Sequence, residues 1–121
     1  MTTTERDVMG DDNGHVVSIP DPHDTRPSRP TVVISDGDCP DHGEVYTVAA
    51  LTTSERYGES RYAVEVDKDE PETDALLSRS FVEPWATEQV ADVDIRDVHA
   101  RFGPDLMERV ARAYAEMVLR G

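Results

Sequence analysis

The run Arg29-Pro30-Thr31-Val32-Val33-Ile34-Ser35 constrains this chain more than any other stretch. Its β-branched side chains are stiff at χ1 and suit a pleated surface, and a proline is tolerated at a strand's first position. A second apolar run, Glu44–Leu51, leads straight into Thr52-Thr53. The Asp- and Gly-rich segment 36–43 between them reads as a turn. Two such strands can hold a guanidinium and a hydroxyl at one end of a small sheet. An arginine offers a planar fork that matches a phosphate, and a threonine sets a short donor and acceptor beside it. That pairing suits phosphodiester chemistry without a metal.

The rest of the chain supplies more strands and one helix. His15–Ile19 reads as a first strand, closed by Pro20-Asp21-Pro22, and the three prolines within 20–28 mark a loop. Pro30–Ser35 and Glu44–Leu51 are the second and third strands, and 53–60 is a polar loop. Arg61–Val66 alternates like a half-buried fourth strand, and an acidic excursion with Pro71 follows over 68–77. Ser80–Pro84 and Glu88–Val93 read as two short strands on either side of Trp85, and Ile95–Phe102 as a last one. Gly103-Pro104-Asp105 is a helix start, with proline at the first helical position and an acid in the first turn. Leu106, Val110, Ala113, Tyr114, Met117 and Val118 then share one face, while Glu108 with Arg112 and Glu116 with Arg120 form i,i+4 pairs on the wet side. The expected architecture is mainly β: a strongly bent antiparallel sheet or barrel closed by a C-terminal helix. Residues 1–13 are polar and aperiodic, which predicts a mobile tail ahead of one domain over 14–121.

Composition narrows the function classes. A chain of 121 residues has room for one modest core. No stretch approaches the roughly 18 apolar residues of a membrane span, and the N-terminus lacks the basic start and apolar run of an export signal. With the single Cys39, which excludes an intrachain disulfide, this predicts a cytoplasmic protein. There are 26 acidic residues against 12 basic ones, one of them lysine, for a net charge of −14. The acids are scattered and not massed in a tail, which favours a surface adapted to high salt over one shaped for a basic partner. Such a surface gains little from counterion release on a polyanion. If this chain binds RNA, it does so through a few placed contacts, stacking and shape.

In order and spacing, His15-Val16-Val17-Ser18-Ile19-Pro20, Ser28-Arg29-Pro30-Thr31-Val32-Val33-Ile34-Ser35 and Val48-Ala49-Ala50-Leu51-Thr52-Thr53 resemble the PemK/MazF toxins of type II toxin–antitoxin systems. The resemblance covers about residues 14–120. It implies an SH3-like barrel of the CcdB/PemK/MazF type and a homodimer. It further implies an endoribonuclease that cleaves single-stranded RNA sequence-selectively, without cofactor or metal, and is held in check by a cognate antitoxin. The reaction the resemblance implies is attack of a ribose 2′-hydroxyl on its own phosphate, giving a 2′,3′-cyclic phosphate and a 5′-hydroxyl end. Arg29 matches the family's phosphate-binding arginine, and the catalytic threonine maps onto Thr52, with Thr53 beside it pointing to the other face. The acid and base that some members carry on later strands fall where this chain reads Phe81-Val82-Glu83-Pro84-Trp85. Glu55 and His23 are therefore the acid–base candidates, and Thr53 and Trp85 join Arg29 as RNA-binding candidates.

Each of these residues also has an ordinary reading. Arg29 can be a strand-edge partner for one of many acids, Thr52 can cap the following turn, and Trp85 can serve core or dimer packing. Cys39 and His42 have C-x-x-H spacing but lack the second pair a structural zinc needs, so no metal is expected. Two rival functions stay open: a catalytically silent module binding nucleic acid or protein on the same barrel, and a gyrase-targeting toxin of similar fold.

Overall fold

The computed structural model describes residues 13–21 and 28–120. Six strands form one antiparallel sheet: β1 (His15–Ile19), β2 (Arg29–Val33), β3 (Val45–Thr52), β4 (Val64–Val66), β5 (Ser80–Ala91) and β6 (Asp97–Arg101). Their order is β4-β5-β3-β2-β1-β6. A short helix, α1 (Glu55–Gly58), follows β3, a 3₁₀ turn (Asp92–Asp94) precedes β6, and α2 (Pro104–Arg120) ends the chain. The bent sheet with its C-terminal helix is the mainly β architecture expected from the sequence. Among the described residues, no helix is long and apolar enough to cross a membrane. The expected tail, 1–13, lies outside the described residues except for Asn13.

Alternation divides the apolar residues between two faces. Val16, Val32, Ala49, Leu51 and Val82 lie on one and pack with Phe102 and with Leu106, Met107 and Val110 of α2. Val17, Ile19, Val33, Tyr46, Val48 and Val90 lie on the other and form a second buried cluster. The chain enters β1 through Gly14, whose φ is +96°. Its N–H donates to Val33 O at 2.7 Å and its carbonyl accepts from Phe102 N at 2.8 Å. A Cβ there would lie 2.7 Å from the Phe102 carbonyl oxygen, so glycine is required twice over.

Several boundaries differ from the sequence reading. Arg61 and Tyr62 are not in a strand, because Ser60 draws them into a turn. Its carbonyl accepts from Ala63 N at 3.1 Å, and its hydroxyl accepts from Tyr62 N at 3.2 Å. The 53–60 loop contains α1. The two strands expected around Trp85 are one continuous β5 of 12 residues. Its register on β3 jumps from Ala50↔Glu83 to Ala49↔Thr87, so Pro84, Trp85 and Ala86 have no partner on β3. A proline lacking an N–H is admitted where the ladder lapses, and the bulge bends the strand without ending it.

The helix α2 begins at Pro104 as expected, but its apolar face is only half used. Leu106, Met107 and Val110 are buried, whereas Tyr114 is 39% exposed and Val118 57%. A 17-residue helix is about 25 Å long, and full burial along its apolar face ends at Val110, with Ala113 packed at the margin of the core. Both wet-side pairs form, Glu108–Arg112 and Glu116–Arg120 each at 3.4 Å.

Candidate active site at the ends of β2 and β3

The β2–β3 register runs Thr31↔Ala50, Val32↔Ala49, Val33↔Val48. Continued by two residues, it sets Arg29 directly across from Thr52. Opposed residues of antiparallel strands share a face, so both belong to the face of Thr31 and Ala50. On the far side of β3, Glu83 pairs with Ala50 and Glu88 with Val48. One guanidinium, one hydroxyl and two carboxylates thus lie on one face around Ala50, whose small side chain leaves room for Arg29 to reach across.

Arg29 reaches Glu88, with Nη2 2.6 Å from Oε2, and its side chain is only 19% exposed. Its Nε is buried and has no hydrogen-bond acceptor among the described residues. The guanidinium is therefore anchored at one corner and still carries an unused donor, as a fork waiting for an oxyanion would. Burial pushes the Glu83 carboxyl above its usual range, while the nearby Arg29 charge pulls it back down. A carboxylate raised in this way is a better proton acceptor than an exposed one, because its conjugate acid is weaker.

Thr52 shows its ordinary role too: its Oγ1 accepts from Ser54 N at 3.1 Å, capping the turn. That bond uses a lone pair and leaves the hydroxyl proton free to donate. Glu55 lies on α1 with its carboxylate held by Arg79, which also approaches Glu65 at 3.5 Å. Its partner is thus Arg79, while Arg29 takes Glu88. His23 lies outside the described residues. Thr53 is exposed and, by alternation, on the opposite face from Thr52. Trp85 is 38% exposed within the β5 bulge.

The two carboxylates beside Arg29 were missed as site members. Reading β5 as two strands severed the register that brings Glu83 and Glu88 alongside β3. A proline-tolerant bulge was the signal that could have joined them. Among the described residues, no three His, Cys, Asp or Glu side chains are grouped to hold a metal. Cys39 is free and exposed, and the His42 ring meets Tyr46 edge-on at 5.4 Å.

A cavity of about 510 Å³ opens at the same strand ends. Val16, Pro30, Leu51 and Leu76 give it an apolar floor, and Arg29 and Thr52 reach its edge. On its wall, Ser18 and His99 are hydrogen-bonded through Oγ and Nε2.

Fold and site together define a small curled-sheet protein with an arginine cradle at the open ends of its central strands. The sequence profile of the PemK-like, MazF-like toxins of type II toxin–antitoxin systems matches residues 12–118. The chain belongs to that family. Its fold is shared with a mycobacterial endoribonuclease solved in complex with its cognate antitoxin: TM-score 0.63 and 18% identity, covering 87% of this chain and 89% of that one. A second mycobacterial endoribonuclease aligns with a TM-score of 0.65 and 18% identity, over 87% of this chain and 88% of that one. No curated protein matches the sequence directly.

Proposed function

We propose that this toxin is a metal-independent endoribonuclease that cuts single-stranded RNA at a short preferred sequence. The observation that carries this reading is Arg29 set across from Thr52, with Glu83 on the same face. Glu83 takes the proton from the attacking 2′-hydroxyl. The buried Arg29 Nε–H and the remaining guanidinium donors bind the non-bridging oxygens, where negative charge grows as the five-coordinate phosphorus forms. Thr52 hydrogen-bonds the departing 5′ oxygen, which leaves with a proton from solvent. The products are a 2′,3′-cyclic phosphate and a 5′-hydroxyl end. Glu83 is favoured over Glu55, one of the two candidates read from the sequence, because the Glu55 carboxylate pairs with Arg79 and not with Arg29.

The expected setting is a cytoplasmic homodimer, silenced by a cognate antitoxin like the one bound to the mycobacterial neighbour. The net charge of −14 suits a salt-rich cell. One observation favours a second reading, a silent binding module: Glu88 already occupies part of the Arg29 fork at 2.6 Å. Incubating the full chain with mixed RNA in a metal chelator, then mapping the new 5′ ends, separates the two. Hydroxyl ends within one recurring short sequence support the nuclease. Intact RNA, at low and at molar salt, supports the silent module.

A further inference from the structure

The cavity beside Arg29 has a composition that the cleavage chemistry does not explain. Its floor is apolar, yet its rim carries the hydroxyls of Ser18, Ser28, Thr53, Ser78 and Ser80 and the imidazole of His99. Ser80 Oγ donates to Ser78 O at 3.1 Å, and Ser18 is tied to His99 across the β1–β6 pair. A pocket built only to seat an aliphatic anchor would desolvate that rim on binding without offering it hydrogen-bond partners, which costs free energy. An apolar floor with a hydrogen-bonding rim fits a different guest: a heteroaromatic ring with a polar edge.

We infer that this cavity is the nucleobase subsite of the proposed nuclease, with the Ser18–His99 pair reading the edge of the base. The inference rests on that reading for the identity of its ligand. Strand alternation puts Ser18, Pro30 and Leu51 on the cavity side of the sheet, and the Arg29 guanidinium on the other. The two meet at the open ends of β2 and β3, where Arg29 and Thr52 also line the cavity. An RNA strand crossing those ends leaves its phosphate with Arg29 and turns the adjoining base under the sheet edge. The Ser18 hydroxyl and the His99 ring offer both a donor and an acceptor, so the pair can distinguish one base edge from another. The acidity of the chain makes such a subsite useful. A surface of net charge −14 gains little from counterion release, and a buried base supplies contacts that salt does not screen.

The test has two arms. In the first, backbone amide NMR shifts of the full chain are followed while each of the four nucleoside 3′-monophosphates is added, with inorganic phosphate as the control. Shifts at Ser18, Leu51, Thr53 and His99 that need the base are expected. Shifts that phosphate alone reproduces, or none at these residues, overturn the inference. In the second arm, His99→Ala and Ser18→Ala are scored on a randomised RNA library. Preference at one position beside the cut should relax at least fivefold in both, while the other positions keep theirs. An unchanged preference in folded variants overturns the inference and leaves the nuclease reading intact. Base-dependent shifts in a chain that cuts no RNA do the reverse: they reject the nuclease and keep the subsite. If an aliphatic peptide series shifts these residues and the nucleotides do not, the cavity is a protein-docking site and the inference fails.

Discussion

The two faces of the sheet come from the same strands and follow the same alternation, yet they differ in what they are used for. The face under α2 carries Val16, Val32, Ala49 and Leu51 and closes on Phe102, Leu106 and Val110. The opposite face begins as a dry cluster at Tyr46, Val48 and Val33. Within two or four residues along β2 and β3 it becomes Arg29 and Thr52, with Glu83 and Glu88 of the neighbouring β5 beside them. Small Ala50 marks the crossing. A strand thus carries both a core and a site on one face, provided the charged end reaches a rim where water and substrate can enter.

Truncation should separate the two faces cleanly. Phe102, 2% exposed, touches the helix-covered cluster and takes no part in the proposed chemistry. Phe102→Ala should cost about 3–5 kcal/mol in denaturant unfolding. A loss below about 1 kcal/mol would show that α2 sits loosely, and would erase the contrast.

Arg29→Ala should behave in the opposite way. Losing a guanidinium aimed at developing charge should lower the cleavage rate by about 10²–10³-fold. Stability should fall by about 1.5–3 kcal/mol at most, the worth of a hydrogen bond between charged groups. Equal damage to folding and cleavage would mean that the Arg29–Glu88 pair is structural and the cradle is misread.

The sequence was most legible where periodicity and chemistry agreed. His15–Ile19 is the strand expected, residue for residue, because its β-branched Val16, Val17 and Ile19 suit a short strand buried on both faces. The start of α2 was equally plain, since Pro104 and Asp105 favour only one end of a helix. The reach of its apolar face was not: Tyr114, Met117 and Val118 keep the helical spacing, but spacing does not say how far the sheet extends beneath. Within the site, Arg29 and Thr52 were visible as strand ends. Glu83 and Glu88 were hidden by Pro84, which reads as a strand breaker unless the bulge in its own strand is known.

Glu83 gives a pH-dependent version of the comparison. Its folded-state pKa is raised by burial, so the protonated form is the one the fold prefers. The stabilising effect of that preference is complete below the unfolded carboxyl pKa and is lost as pH rises through the folded value. Glu83→Gln removes the ionisation altogether. It should raise the melting temperature at neutral pH, and the gain should fade as pH drops into the carboxylate range. Cleavage should move the other way, rising with pH in the parent chain as Glu83 ionises, and falling in the variant at all pH values. A variant that cleaves normally would return the role of base to Glu55 or to His23.

The smallest expected effect lies outside both faces, on the wet side of α2, where Glu108 and Arg112 meet at 3.4 Å. An exposed i,i+4 pair is worth about 0.3–0.5 kcal/mol, with glutamate N-terminal to its partner as the better order. Arg112→Ala should therefore shift unfolding by about that amount at low salt and by less in molar salt, where the Debye length shrinks to about 3 Å. The same salt series on Arg29→Ala should show a weaker dependence, because its guanidinium is largely enclosed while that of Arg112 is 78% exposed. Two arginines paired with glutamates, one in a cradle and one in water, would then be told apart by salt alone. Identical salt slopes would mean that Arg29 is solvated like any surface arginine, and the charged end of the sheet would lose the low-dielectric shelter its chemistry needs.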